Sequence, residues 1–496
     1  MISVLLLVNS SVHSQCSVIN NPPQTINVNT IINAPQIYNE DIIVDGNSLL
    51  EIYGPGTISF APGKGIIVKS GSTLYAEGVT LANSQTCMWS GITLQGNPSN
   101  QFGSGGTCEL SDVIILNANI GVDVGKGGSL ASLYSTFDAN YIGIRLGDGL
   151  GYNAISFAMG GTHFTCTNNL IIPYQNQMPN SNPGTRSFAG ILSTEIGTLF
   201  TSSFLSGYNN TFNNLNCGII SNSENLIVAD CSFENIKNYD NYFNLLSNGC
   251  GILINGNLDD VVTITGLGIS SIMFPKPLTF NNCFTGVRFE RANVKITQCQ
   301  MDYMTNGVIG LLPVSSCSIY GNHMNCENDG IVVTQADLCT NTQISQNKIK
   351  LDIQAGSIWG FGTGIDYSAL ANTSTTTDIS NNNINVYKGV EGIVVTNIGI
   401  ASPLPHLNST MSINYKTSNA SNQVMSFQTQ NNKIDLPLIL SNEMRNVTIY
   451  EYTGRVVLRD VEIDIQKLEA QLTSGIYLLD VVDIKNKHYL SRIVIK

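Results

Sequence analysis

The sequence predicts an all-β protein, a long parallel β-helix solenoid followed by a small C-terminal β-sandwich. Three observations carry this. Apolar residues alternate with period two over short runs and nowhere hold a helical period. A glycine followed by Ile, Val or another apolar residue recurs from Gly121 to Gly392. The composition holds 46 Gly and roughly sixty Asn, residues that both tolerate tight bends. With 42% hydrophobic residues among 496, the chain can bury a large core.

At the N-terminus, MISVLLLV is apolar and NSSVHSQ follows it. Val12 and Ser14 stand at the −3 and −1 positions of a small-x-small cleavage site, so residues 1–14 read as a secretory signal peptide. Its basic leading segment is missing, which puts the expected start of translation a little upstream. Residues 15–36 read as a lead-in.

Residues 37–397 form the predicted solenoid. The repeating glycines are Gly121, Gly143, Gly190, Gly218, Gly251, Gly286, Gly307, Gly330, Gly364 and Gly392. An aromatic or aliphatic residue with Asn precedes most of them, as in STFDAN, NTFNNLN and CSFENIKN. A period of about 20–50 residues indicates a solenoid or array. The period-two strands exclude helical repeats, and neither the Trp-Asp signature of propeller blades nor a leucine-rich frame is found. A parallel β-helix remains, in which short strands stack at ~4.8 Å per rung. Asn at the bends is expected to adopt the left-handed conformation and to bond Asn in the next coil. About 25 residues per coil gives on the order of 14 coils. Insertions are expected near 151–186, 235–247 and 257–278.

This pattern resembles the right-handed parallel β-helix, or pectin-lyase-like, repeats. The early stretch from Asn39 to Gly96 looks like the first coils of such proteins from secreted Bacteroidetes sequences. The resemblance implies the fold and is nearly silent on substrate.

Many β-helices of that kind cut acidic polysaccharides, which directs attention to carboxylates. Asp259 and Asp260 form the sole adjacent Asp pair of the repeat region and are the catalytic candidates, against a solvated turn as the plainer reading. The Asn-Thr-Asp, Gly-His-Gly and Arg-Ile-Lys elements of polygalacturonases are absent. Arg288 and Arg291 flank Glu290 in what reads as a surface ion cluster. His163 and His323 are isolated, and Trp89 and Trp359 read as packing residues before sugar platforms. No cofactor is expected, and Ca²⁺ binding is left open. A net charge of −12 argues against nucleic acid as a partner. No apolar run reaches the ~18 residues of a membrane helix, so no transmembrane span is expected in the mature protein.

The twelve cysteines read mostly as buried thiols packing as small hydrophobes. Cys87 and Cys108 are the best candidate disulfide.

Residues 398–430 are rich in Ser, Thr and Asn and read as a linker. From 431 to 496 short alternating strands return and suggest the sandwich. Val447, Ile449, Tyr450, Gly454, Arg455 and Val457, then Leu472, Gly475 and Tyr477, and a final strand ending at Lys496 make a pattern that resembles the type A C-terminal sorting domain of the type IX secretion system. The resemblance covers 431–496. It implies the type IX machinery as a partner and a secreted, extracellular or outer-membrane-surface location. The cargo then reads as a non-catalytic glycan-binding or adhesin-like protein, with a polysaccharide lyase or glycoside hydrolase acting on acidic polysaccharide as the alternative.

Overall fold

A computed structural model describes residues 16–97, 99, 101–147, 154–175, 185–194, 199–200, 209–222, 225–237, 249–256, 261–266, 278–336 and 338–352, and after these the strands between 363 and 495 with two intervening bend residues. The described residues form strands and bends without a helix. No helix among them is long and apolar enough to cross a membrane.

The fold is a three-faced parallel β-helix. One coil shows the plan: Ile120–Val124 lies on the first face, Ser129–Leu133 on the second and Thr136–Asp138 on the third. The next coil repeats it with Ile142–Leu146, Ser156–Gly160 and His163–Thr165, each in parallel register with its predecessor. On the first face thirteen successive parallel pairings, and hence fourteen strands, run from Gln24–Ile26 to Glu391–Ile398. The second face is divided between a six-stranded sheet, Thr30–Asn33 to Ser156–Gly160, and an eight-stranded one, Leu199–Phe200 to His406–Asn408. Long strands at Gln300–Leu311 and His323–Thr334 pass through the bend and serve both the third and first faces.

The two sequence repeats are one packing unit. Phe137, Phe164, Phe212, Phe233 and Phe280 stack inside the coils with ring centroids 4.8–5.0 Å apart, the spacing of the rungs themselves. The repeating glycines make room for these rings. A Cβ on Gly143 would stand 2.7 Å from the Phe164 ring, on Gly190 2.6 Å from Phe212, on Gly218 2.6 Å from Phe233 and on Gly251 2.7 Å from Phe280. Their backbone is not left-handed, so space and not conformation selects glycine. Further on, Met301, Met324 and Ile349 take the place of Phe against Gly286, Gly307 and Gly330.

Asparagine works at two kinds of corner. Asn117, Asn235 and Asn282 adopt φ of 53–56° at half-buried bends and donate to Asn83, Asn213 and Asn235 one coil back. A second series, Asn322, Asn347 and Asn382, is buried. Each accepts a backbone N–H from the coil before, at 2.9–3.0 Å, and donates to a carbonyl of that coil. These side chains satisfy backbone groups that the turn leaves without a strand partner.

Several boundaries differ from the sequence reading. The solenoid starts before Ile37, because Gln24–Ile26 and Thr30–Asn33 already pair with the following coil. Ser156–Gly160 and His163–Thr165 continue the coils inside the stretch read as the 151–186 insertion, as does Val261–Thr265 inside 257–278. Most of 235–247 lies outside the described residues. His406–Asn408 and Met411–Asn414 still stack in parallel on the solenoid, and Val424–Phe427 pairs antiparallel with the latter, within the expected linker.

The disulfide also differs. Cys87 is bonded to Cys16, their Cα atoms 6.1 Å apart. Cys108 is a free thiol, buried in register between Leu74 and Leu130. The cause is position on the coil: Cys108 points inward from a strand, whereas Cys87 sits at a corner. Part of the first insertion returns to that corner, with Met88 N–H donating to the Ile172 carbonyl and Gln175 N–H to that of Cys16.

At the C-terminus, Val456–Arg459, Met444–Glu451, Gly475–Asp483 and His488–Ile495 form a four-stranded antiparallel sheet in that order.

Candidate functional site

Inward positions of the six-stranded sheet are uniformly apolar or small, so any chemistry there lies on its outward positions. Leu49–Tyr53, Thr73–Glu77 and Thr107–Ser111 occupy three consecutive coils, and Leu50, Ile52, Leu74, Ala76, Cys108 and Leu110 fill the core from them. The alternate side chains face out. Register places Glu51 beside Tyr75 and Tyr75 beside Glu109, while Tyr53 lies beside Glu77. Tyrosine and carboxylate therefore alternate both along and across the strands.

The wall is internally ordered. The Tyr53 hydroxyl donates to Glu51 Oε1 at 2.9 Å, and the Tyr75 hydroxyl to Glu77 Oε2 at 2.8 Å. The two rings are tilted by 57° with centroids 5.9 Å apart. The bond to Glu77, lost if the phenol ionises, pushes the Tyr75 pKa up to about 12, and the bond to Glu51 raises that of Tyr53. Both phenols are thus neutral donors at physiological pH.

An open groove of about 510 Å³ runs along this wall, lined by Glu51, Tyr53, Tyr75, Glu109, Asn29 and Asn47 among others. Asn47 stands at a bend with φ of 56°. Ser48, which also lines the groove, bonds the Ile26 and Asp45 carbonyls. Ser72 holds the same place one coil on, and its hydroxyl is buried without a partner. No strand of this sheet contains Lys or Arg.

The residues singled out from sequence fall elsewhere. Asp259 and Asp260 lie outside the described residues, as does Trp359. Trp89 is fully buried, stacked on Phe60 at 4.8 Å, with its indole N–H on the Leu116 carbonyl. His163 and His323 are exposed on the third face, the former 2.6 Å from the Thr211 hydroxyl. Arg291 approaches Glu290 at 3.8 Å on the surface. Among the described residues no group of three His, Cys, Asp or Glu is placed to hold a metal. Of the C-terminal pattern, Val447, Ile449, Tyr450, Val457, Gly475 and Tyr477 lie on strands of the antiparallel sheet, whereas Gly454, Arg455, Leu472 and Lys496 lie outside the described residues.

The tyrosine–glutamate wall itself is not evident in a linear reading, because its members come from three separate coils. With the coils aligned on their inward residues, Glu51-x-Tyr53, Tyr75-x-Glu77 and Glu109-x-Ser111 fall into one block.

Neither a family model, nor a curated protein, nor a solved structure matches the chain.

Proposed function

We propose that the chain is a secreted or cell-surface β-helix protein that binds a glycan without cleaving it. The wall of Tyr53 and Tyr75 alternating with Glu51, Glu77 and Glu109 carries this reading. Aromatic rings offer flat apolar faces to sugar rings, and carboxylates accept from sugar hydroxyls. The wall lies on rigid strands, which reduces the ordering cost of binding. Export by the type IX machinery is supported by the resemblance of the stretch 431–496, and the N-terminal segment supports prior export to the periplasm.

Glu51 and Glu109 favour a second reading. Both line the groove, two rungs and therefore ~10 Å apart along the axis. That approaches the span of ≈ 6.5–9.5 Å used by inverting glycosidases.

One experiment separates these. The purified protein is incubated with a panel of plant, algal and bacterial polysaccharides, scoring retention and newly released reducing or unsaturated ends. Retention that Tyr53→Ala and Tyr75→Ala abolish, with no new ends, is the expected result. Release of ends overturns the non-catalytic reading. For export, truncation after Gln430 is expected to hold the protein in the periplasm, and normal surface display of that truncation refutes the sorting role.

A further inference from the structure

We infer that the tyrosine–glutamate wall selects a glycan bearing free amino groups, a polymer of glucosamine type, over neutral and acidic glycans. The inference rests on the glycan-binding reading above and adds the ligand's charge to it. The first argument is charge complementarity. Glu51, Glu77 and Glu109 face outward from three consecutive strands, and no strand of the sheet carries a Lys or Arg to neutralise them. The whole chain is acidic, at −12. An acidic polysaccharide would meet like charge at every rung, which disfavours it. An ammonium group finds both a carboxylate and the face of a neighbouring tyrosine ring, the two environments that attract a cation.

The second argument is orientation. Each phenol hydroxyl is committed to its own carboxylate. The donors of the wall are therefore occupied while its acceptors and ring faces remain on offer. A ligand rich in N–H donors suits such a surface better than one rich in acceptors.

The third argument is spacing, and it separates a glycan from a basic peptide. Equivalent wall positions recur at the rung interval of ~4.8 Å. A pyranose in an extended chain advances by about one such interval, so successive sugars meet successive rungs. An extended peptide advances ~3.3 Å per residue and falls out of step at once. The glycan would lie along the solenoid axis, with Glu51, Tyr75 and Glu109 beneath consecutive units.

The test uses the full-length protein and two defined probes, a glucosamine hexamer and its fully N-acetylated counterpart, with polygalacturonate and polylysine for comparison. Titration calorimetry is expected to show the glucosamine hexamer bound at least tenfold more tightly than the acetylated one, with affinity falling as salt rises. Polygalacturonate is expected not to bind. Glu51→Gln combined with Glu77→Gln and Glu109→Gln, all surface substitutions, is expected to erase the tenfold preference, and Tyr53→Ala with Tyr75→Ala to weaken both hexamers. Equal affinity for the two hexamers, or tighter binding of polygalacturonate, overturns the amine inference and leaves the glycan-binding reading standing. Failure of every glycan overturns both, and if polylysine alone binds, the wall belongs to a basic peptide instead.

Discussion

Gly218 shows what a single residue contributes to this fold. The Phe233 ring and the Gly251 carbonyl would lie 2.6 and 2.5 Å from any Cβ added there. Neither can yield, because Phe233 is itself stacked between Phe212 and Phe280. Gly218→Ala is therefore expected to destabilise by about 1–3 kcal/mol, the usual cost of overpacking, even though Ala is ordinarily the better residue within an element. Urea unfolding of the variant measures this, and a change within about 0.5 kcal/mol, typical of a neutral surface substitution, would contradict the packing account. The same glycine carries the repeat in the sequence, so residue-level packing and sequence periodicity have one cause.

Among elements, the buried corner of Asn322, Asn347 and Asn382 ties the later coils together through side chains in place of strand pairing. Asn347→Leu keeps the volume but leaves the Asn322 backbone N–H and the Ile319 carbonyl unpaired. A loss of about 1–3 kcal/mol for each unpaired buried group follows. The exposed Asn383→Leu is expected to be near neutral. Equal unfolding midpoints for the two variants would sink the idea. This scale also explains what is legible in the sequence. The Gly-Ile/Val strands and the Phe-Asn strands announce coils because both are constrained by the same stack. The first coil escapes notice because Gln24–Ile26 and Thr30–Asn33 carry neither signature. His406–Asn408 and Met411–Asn414 resemble linker because short strands among Ser, Thr and Asn leave too few apolar positions to reveal a period. The wall of the candidate site is hidden for a different reason. Outward positions bear no packing constraint, so nothing in the local sequence marks them, and only the register of three coils assembles them.

For the whole molecule, ten free cysteines are all buried, eight of them in one continuous core and Cys217 and Cys250 in a small separate cluster with Ala189, Ile220 and Leu253. Burial pushes the thiols of Cys250, Cys283 and Cys299 up to about 12, so almost none of these three is thiolate at neutral pH, and burial alone shields the others from a reagent in solution. Iodoacetamide is expected to label none of the ten in the native protein and all ten after unfolding without reductant. Prompt labelling of the native form, counted by mass spectrometry, would show that the core is not closed as described. The returning segment around Ile172 has a consequence of its own. A solenoid whose coils touch only their neighbours can be completed in order as the chain emerges. Here the corner of the early coils, at Cys16, Cys87 and Met88, is finished only by Ile172 and Tyr174, several coils later in the sequence. A nascent chain, however it is delivered, must therefore leave its first rungs unsealed while several later ones are already wound.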